Sequence, residues 1–579
     1  MARSSLDRPK KAIAKTKPSS RENTLDIKEK IALRKEARQK QQKLTGFIIF
    51  SVIFAIFVGI PVGLLAGIKS GIALALGVIL GVFAFLYPRA SLWTFVIYLP
   101  FNGTVTYWIG DGSALLQISK DIFYLPALIA LVRECRQRKK PIFIPPKLKY
   151  LFLILVVFCV IGLFAVNLPF QLRPTCDSVQ GLVRYENGQF VTWTPCRKGE
   201  NFLQGLLGFK VLLGYIPLIF CTYYLIDNKR KLLSLGRILI VLAIICCILG
   251  IAQYWMLKTG HCQGTRGYVG DLLYKATLEA RCLVGGALVY SPEVNMIRLP
   301  GTFVSPWHWG WFLVSNTVIC YASAFSETSK TWRLAGIVGL VLVFINAVIC
   351  GQRLAFISVP VLVVLLFVLT GQIAQLKRFL PVAIGLVLLL AIGFSFINPE
   401  FIQERYDSAV SRWQQSPPTA FIQEQFEVAV RNQQFTGILG WGLGSATSSA
   451  RTFGDITFTE SFHSKLIHEL GFIGFSIYMA FISYVVFLAF KSSRSLKDPT
   501  LRGFASSYWV FLLVVAYLPY WYPLDTDPVG VYYWLFAGVI FRLPDIERQE
   551  KEARALAEPT EKPAKGTRLK SPRKGIALV

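Results

Sequence analysis

Long apolar runs constrain this chain more than any other feature of its sequence. Stretches of about 20 apolar residues recur from Phe47 to Phe541, and 54% of the 579 residues are hydrophobic while only 16% are charged. A run of that length crosses the hydrocarbon core as a helix, which satisfies its own backbone hydrogen bonds in lipid. The sequence therefore predicts an all-α polytopic membrane protein.

We predict about 14 transmembrane helices. Their approximate ranges are 45–68, 71–87, 90–108, 114–132, 149–168, 205–226, 232–256, 301–325, 334–350, 354–370, 379–397, 462–490, 503–522 and 528–541. Residues 44–542 then form one transmembrane domain. A basic tail (1–43) precedes it, without the short apolar core and cleavage site of a signal peptide, and a basic, disordered tail (543–579) follows it.

The net charge of +29 follows from the distribution of Lys and Arg. These residues concentrate in both tails and in alternate connectors such as 133–149, so the positive-inside rule places both termini in the cytoplasm. A basic surface against anionic membrane lipids accounts for the charge, and we expect no nucleic acid partner. The loops 169–204, 257–300 and 398–461 then lie outside.

The outer loops contain features of their own. Cys176 and Cys196 lie in the first loop, and Cys262 and Cys282 in the second, each pair separated by 20 residues. Two disulfides on the oxidising side are expected, with four unpaired thiols as the alternative. The longest loop contains two segments with apolar residues at helical spacing, divided at Pro417-Pro418, which predict two amphipathic helices over the outer mouth.

The segment 437–474 is the strongest candidate for chemistry. Gly440, Gly442 and Gly444 alternate in a polar loop, and glycines allow the backbone to approach a bulky polar ligand. His463 follows where the loop meets a membrane span, and an imidazole titrating near neutral pH suits a general base. His468 lies about 140° further round a helix, so the two histidines make a poor metal pair. We expect no metal and no cofactor, since neither a Walker loop nor HExxH occurs.

Four arginines lie on the predicted outer side: Arg298, Arg353, Arg431 and Arg451. Guanidinium groups bind phosphate oxygens bidentately, so these residues are candidates for holding a diphosphate. For each one, contact with water or a lipid headgroup is the alternative. Lys120 and Asp121 lie within a predicted span, where a structural pairing and a substrate role are both open. His308, in an aromatic WHW sequence, is expected to pack and hydrogen-bond locally.

These motifs resemble a known family. The glycine run, followed by His463 and then Gly474 after ten residues, resembles the lipopolysaccharide O-antigen ligase and O-antigen polymerase superfamily. Arg353 matches an arginine of that family, although Gln352 replaces its serine. Arg298-Leu-Pro-Gly-Thr-Phe303 matches a second motif, after which Ser305 and Trp307 replace two asparagines.

The resemblance implies a metal-independent, inverting GT-C-like glycosyltransferase in the bacterial inner membrane, with its active site facing the periplasm. Its donor would be a glycan on undecaprenyl diphosphate, held by the arginines, and its acceptor a glycan or lipid hydroxyl deprotonated by His463. Polysaccharide-assembly proteins are additional expected partners, and exopolysaccharide is the favoured product. A membrane transporter of a small anion is the alternative, and a structural protein without activity is a third hypothesis.

Overall fold

The computed structural model describes residues 20–110, 119–373, isolated positions between 403 and 414, and 417–557. Short gaps within these ranges are 143–144, 176–182, 187–188, 193–196, 198, 267, 270–277, 288, 292–295, 432–436 and 521–522. The described chain is mostly helical. It divides into two compact units, Met1–Pro88 and Arg89–Val579.

The first unit is a pair of helices, α1 (Ser20–Ala66) and α2 (Ile68–Leu86). Gly67 separates them with a φ of 93°, a conformation that glycine adopts without strain. Gly59 and Gly71 let the two helices approach closely, since a Cβ on Gly71 would lie 2.5 Å from the Gly59 carbonyl oxygen. The predicted basic tail is therefore partly helical, because α1 begins within it at Ser20.

The second unit contains the other helices. In chain order they are α3 (Pro88–Tyr98), α4 (Lys120–Gln137), α5 (Leu148–Gly162), α6 (Asn201–Leu213), α7 (Leu218–Leu225), α8 (Lys229–Lys258), α9 (Pro306–Ser326), α10 (Lys330–Ile349), α11 (Arg353–Leu369), α12 (Pro418–Arg431), α13 (Phe462–Ser495), α14 (Pro499–Tyr517) and α15 (Val529–Ala557). Short helical turns, Asn102–Thr104 and Leu168–Gln171, follow α3 and α5.

The chain is a multi-pass membrane protein. Within the described ranges, nine helices are long and apolar enough to cross a membrane. They are Thr45–Leu65, Ile68–Leu86, Leu148–Gln171, Asn201–Leu225, Lys229–Lys258, Lys330–Ile349, Phe462–Ser495, Pro499–Tyr517 and Val529–Leu556.

The predicted count of 14 spans is not confirmed. Span 90–108 is divided between α3 and shorter turns, and helix α4 begins only at Lys120. Helix α11 has 17 residues, and α9 contains buried Ser315, Asn316 and Thr317. Span 379–397 lies outside the described residues.

Helix α9 is the centre of the second unit. Nearly all of its residues are buried, and it packs against α8, α10, α11, α14 and α15. Its polar side chains donate to carbonyls one turn back, as Ser315 Oγ does to Trp311 at 2.8 Å. A helix enclosed by other helices needs no lipid-compatible surface, which explains why α9 tolerates these polar residues.

Among the described residues, the loops contain three small antiparallel hairpins. They pair β1 (Val183–Glu186) with β2 (Gln189–Thr192), β3 (Arg281–Cys282) with β4 (Gly285–Ala287), and β5 (Val289–Ser291) with β6 (Met296–Arg298). The predicted disulfide between Cys262 and Cys282 is confirmed. The pair Cys176 and Cys196 lies outside the described residues, although their neighbours Thr175 and Arg197 form a backbone bridge.

Two predictions about the chain's second half have different outcomes. The tail beyond residue 542 is not disordered at its start, because α15 continues to Ala557 with ion pairs such as Lys551–Glu547 at 3.1 Å. Charges four residues apart stabilise such a solvated helix.

In the longest loop, α12 confirms the second predicted amphipathic helix, whereas the first lies largely outside the described residues.

Candidate functional site

The segments that carry two of the predicted arginines meet in the second unit. The N–H of Leu299, which follows Arg298, donates to the Cys350 carbonyl at 3.0 Å. Gly351 lies against the same strand, since a Cβ there would be 2.2 Å from the Ile297 carbonyl oxygen and 3.3 Å from the Arg298 Cα. Arg353 begins α11 two residues later. Both arginine side chains are half-buried, and we call this junction the arginine site.

A buried glutamine holds the segment that carries Arg298. Gln253, fully buried on α8, accepts from the Gly301 N–H at 3.0 Å and donates to the Cys282 carbonyl at 2.9 Å. The disulfide ties Cys282 to Cys262, just beyond the end of the same helix. The position of Arg298 thus depends on contacts with α8 as well as with Cys350.

The glycine run packs against the protein itself, and its expected approach to a ligand stays a prediction. Gly440, Gly442 and Gly444 all have positive φ, between 75° and 93°. A Cβ would meet the His468 carbonyl oxygen at 2.7 Å from Gly440, Asn167 Oδ1 at 2.8 Å from Gly442, and the Gln204 carbonyl oxygen at 2.1 Å from Gly444. These glycines let the loop dock on α13, on the end of α5 and on α6.

Two further contacts fix this loop. Asn167 accepts from the Leu443 N–H at 3.0 Å and donates to its carbonyl at 2.9 Å. Glu469, buried on α13, accepts from the Ala446 N–H at 2.9 Å and the Thr447 hydroxyl at 2.8 Å. The loop is therefore a rigid part of the second unit.

His463 is the second residue of α13 and is buried. Its ring lies edge-on to Phe475, with centroids 6.1 Å apart, and the backbone of Ala516 is within electrostatic reach. The ring nitrogen Nδ1 is buried and has no hydrogen-bond partner among the described residues. The contacts described for His463 include none to an arginine.

The remaining predicted residues have local contacts. Arg451 is exposed and donates to the Ser448 carbonyl at 2.9 Å, within its own turn. Arg431 is the last residue of α12. His468 stacks on Trp441, with centroids 6.1 Å apart. His308 Nδ1 lies 2.5 Å from the hydroxyl oxygen of Ser305, the residue that caps α9. This is the local hydrogen bonding expected of His308.

Helix α12 covers the region where α13 begins and α14 ends. Phe421 stacks on Tyr520 at a centroid distance of 5.4 Å, and the Tyr520 hydroxyl donates to the Pro418 carbonyl at 3.2 Å. Gln425 accepts from the Glu460 N–H at 2.7 Å. These contacts hold α12 against the second unit, and its place at the outer mouth stays a prediction.

A group of buried ion pairs lies near the same end. Lys120 pairs with Asp527, Asp121 with Lys210 at 2.6 Å, and Lys465 with Asp525 at 2.6 Å. The Tyr215 hydroxyl donates to Asp121 at 2.9 Å. Asp527 is also within electrostatic reach of Lys210 and His308, and Asp525 of Glu469 and Asp527. We call Lys120, Asp121, Lys210, Lys465, Asp525 and Asp527 the ion-pair cluster.

Sequence reasoning singled out Lys120 and Asp121 but missed Lys465, Asp525 and Asp527. Lys120 and Asp121 stood out inside an apolar span, and the structure shows that each pairs with another helix or connector rather than with its neighbour. Asp525 and Asp527 lie in the connector PLDTDP, which resembles an ordinary polar loop. Lys465 could have revealed these partners, because a cation three residues inside a predicted span requires an oppositely charged group nearby.

The described residues contain no group of three or more His, Cys, Asp or Glu that could hold a metal ion. No protein-family model matches the chain, and no curated protein matches it. The O-antigen ligase resemblance accordingly stays a prediction.

Proposed function

We propose that this protein is a glycosyltransferase that uses a lipid-linked diphosphate sugar as donor. The observation that carries the proposal is the arginine site, where the strand ending at Arg298 and the helix beginning at Arg353 are joined by the Leu299–Cys350 hydrogen bond. Two half-buried guanidinium groups brought together by separate segments favour an anion with several negative charges.

The electrostatics support a diphosphate. Two guanidinium groups at one site interact with charge more strongly than in water, because the effective dielectric constant near a protein surface is about 20; without an anion this interaction is a repulsion between them. A diphosphate between them turns this repulsion into two attractive, charge-assisted contacts, each able to be bidentate. As the sugar–phosphate bond breaks, negative charge grows on the leaving diphosphate, and fixed cations at that position lower the barrier. The donor is already activated, so no ATP is required.

The acceptor hydroxyl must lose a proton during the transfer. His463 is the residue that the motif resemblance proposes for this step, and its unpartnered Nδ1 supports the proposal. The attacking hydroxyl oxygen would form a bond to the anomeric carbon while the imidazole takes the proton. Inversion at the anomeric carbon follows from a single direct displacement.

The wider setting is proposed on the resemblance to O-antigen ligases and polymerases. The site would face the periplasm of a bacterial inner membrane, with both termini in the cytoplasm and a GT-C-like fold. The donor glycan would be attached to undecaprenyl diphosphate and the acceptor would be a glycan or lipid of a cell-surface or exopolysaccharide. Polysaccharide-assembly proteins would be partners.

A strain lacking the protein tests this proposal. We expect undecaprenyl-diphosphate-linked glycan to accumulate while the extended polysaccharide is lost, and wild-type protein to restore the polymer. Arg353→Ala protein, inserted at the same level, should fail to restore it. Unchanged polymer and no lipid-linked intermediate in the deletion strain would contradict the proposal.

Transport of a small anion is the second candidate, and one observation favours it. The ion-pair cluster lies beside interrupted helices, since the chain breaks between α6 and α7 at residues 214–217 and α13 has non-helical geometry at Gly471. Ionisable groups beside broken helices are common in secondary transporters. Anion uptake into proteoliposomes, abolished by Arg353→Ala and without any lipid-linked sugar, would favour this candidate.

A further inference from the structure

Two Asp–Lys pairs with similar geometry lie at two places in the second unit. Lys465 and Asp525 are 2.6 Å apart, and Lys229 and Asp498 are 2.7 Å apart. Both aspartates occupy connectors next to α14, before its first residue and after its last. Their surroundings nevertheless differ, and the difference indicates a function for Asp525.

Asp498 is fully engaged as a carboxylate. Its Oδ1 accepts from the Leu501 N–H at 3.0 Å, capping α14, and its Oδ2 accepts from Lys229. About 21% of each side chain in this pair is exposed. Burial raises the pKa of Asp498, but the hydrogen bonds from Lys229 and Leu501 outweigh it and hold the pKa below its ordinary value. This pair is an ordinary structural ion pair.

Only one of the two carboxylate oxygens of Asp525 has a partner among the described residues. Lys465 contacts Oδ2, whereas Oδ1 is buried and has no hydrogen-bond partner within the described part of the chain. Only 6% of the Asp525 side chain and 2% of the Lys465 side chain are exposed. A buried carboxylate oxygen without a donor is costly, and protonation removes that cost.

The carboxyl groups around Asp525 also favour its protonated form, whereas Lys465 opposes them. Lys465, Glu469 and Tyr478 of α13 face it, as does Asp527 of its own connector, while Lys210 of α6 faces Asp527. Two of these neighbours are carboxyl groups, and like charges favour the neutral acid. Burial, with a contribution from Glu469 and Asp527, raises the pKa of Asp525 to about 6 although Lys465 lowers it.

We propose that Asp525 is a proton-binding residue, which takes up and releases one proton at Oδ1 while its Oδ2 remains in contact with Lys465. The route to water passes through the cluster, because Lys210 and Asp527 are its partly exposed members. Lys465 follows His463 by two residues, so the lysine that contacts the proton site lies within one turn of the proposed base on α13.

The role of Asp525 in catalysis rests on the proposed function, which this assignment extends. During transfer the electrons of the hydroxyl O–H bond form the new bond to the anomeric carbon. The electrons of the old carbon–oxygen bond leave on the diphosphate, and the proton remains. His463 takes the proton first, and Asp525 holds it at Oδ1 before Asp527, the partly exposed carboxylate of the cluster, passes it to water.

Infrared difference spectroscopy of the reconstituted full-length protein tests proton binding without any activity. It follows the C=O stretch that only a protonated carboxyl shows. We expect a band that titrates between about pH 5 and pH 7 in the wild-type protein and in Asp498→Asn, and that is missing in Asp525→Asn. Lys465→Met should move the midpoint to higher pH, because the nearest cation is removed.

Replacing both partners guards against misfolding of the single variant, since exchanging a whole buried pair for neutral residues is often tolerated. The Asp525→Asn/Lys465→Met protein should be monodisperse and lack the band. A wild-type protein without a titrating band, or a band that persists in both Asp525 variants, overturns the assignment. If the band behaves as expected while no sugar transfer is detected, the proton site stands and the proposed transferase function falls.

Discussion

Gly351→Ala tests whether the arginine site depends on the close approach of two backbone segments. Gly351 has a φ of 70°, and a Cβ there would lie 2.2 Å from the Ile297 carbonyl oxygen. Gly371 ends the same helix α11 with a φ of 76°, and a Cβ there would meet nothing within 4 Å. Gly371→Ala is therefore a control with the same backbone strain and no clash.

Both substitutions should lose stability through backbone strain, and only Gly351→Ala should also suffer a steric clash. An alanine in the left-handed region costs about 1–2 kcal/mol, which both variants bear. A carbon–oxygen contact of ordinary length is about 3.3 Å, so in Gly351→Ala the strand carrying Arg298 must move by about 1 Å. A displacement of that size within a binding constellation can reduce the rate about 100-fold.

The assay is sugar transfer from a lipid-linked diphosphate donor by protein in proteoliposomes. Gly351→Ala should lower kcat/KM about 100-fold, whereas Gly371→Ala should stay within about twofold of wild type and lose only stability. Equal transfer by both variants would show that transfer does not depend on the close approach of the Gly351 and Ile297 backbone segments.

Three other changes test separate parts of the site. Arg353→Lys should lower kcat/KM for the donor by about 10- to 100-fold, since lysine cannot make a bidentate contact; an unchanged value would indicate a point charge only. His463→Ala should abolish transfer while membrane insertion persists, and wild-type rates in that protein would end its role as the base. Cys262→Ser with Cys282→Ser should reduce the free energy of unfolding by about 2–4 kcal/mol, measured by denaturant titration; an unaltered midpoint would mean that the disulfide does not stabilise the fold.

Much of the architecture follows from local sequence. Apolar runs predict spans such as Leu148–Gln171 and Lys229–Lys258 within a few residues, because lipid imposes a length and an apolar composition on each helix. The pair Cys262 and Cys282 was predicted from spacing and topology alone. Helix α9 shows where prediction from local sequence fails. Its polar residues are tolerated only because other helices enclose it.

The site was less predictable because its contacts join distant segments. Nothing near Gly442 indicates that Asn167 fills the space beside it, so the glycines suggested a ligand where the chain itself docks. Asp525 and Asp527 likewise look like loop residues until their lysine partners are known. The sequence marked Arg298 and Arg353 as candidates separately, and only the fold shows that their segments meet.

Binding of undecaprenyl diphosphate tests the central claim, that Arg298 and Arg353 form a single diphosphate site. We would measure Kd for wild type, Arg298→Ala, Arg353→Ala and the double variant. If both arginines hold one ligand, each single variant should weaken binding at least tenfold, and the double variant should depart from additivity by about 0.5–3 kcal/mol. Strictly additive losses, or single variants that bind as tightly as wild type, would contradict a shared site.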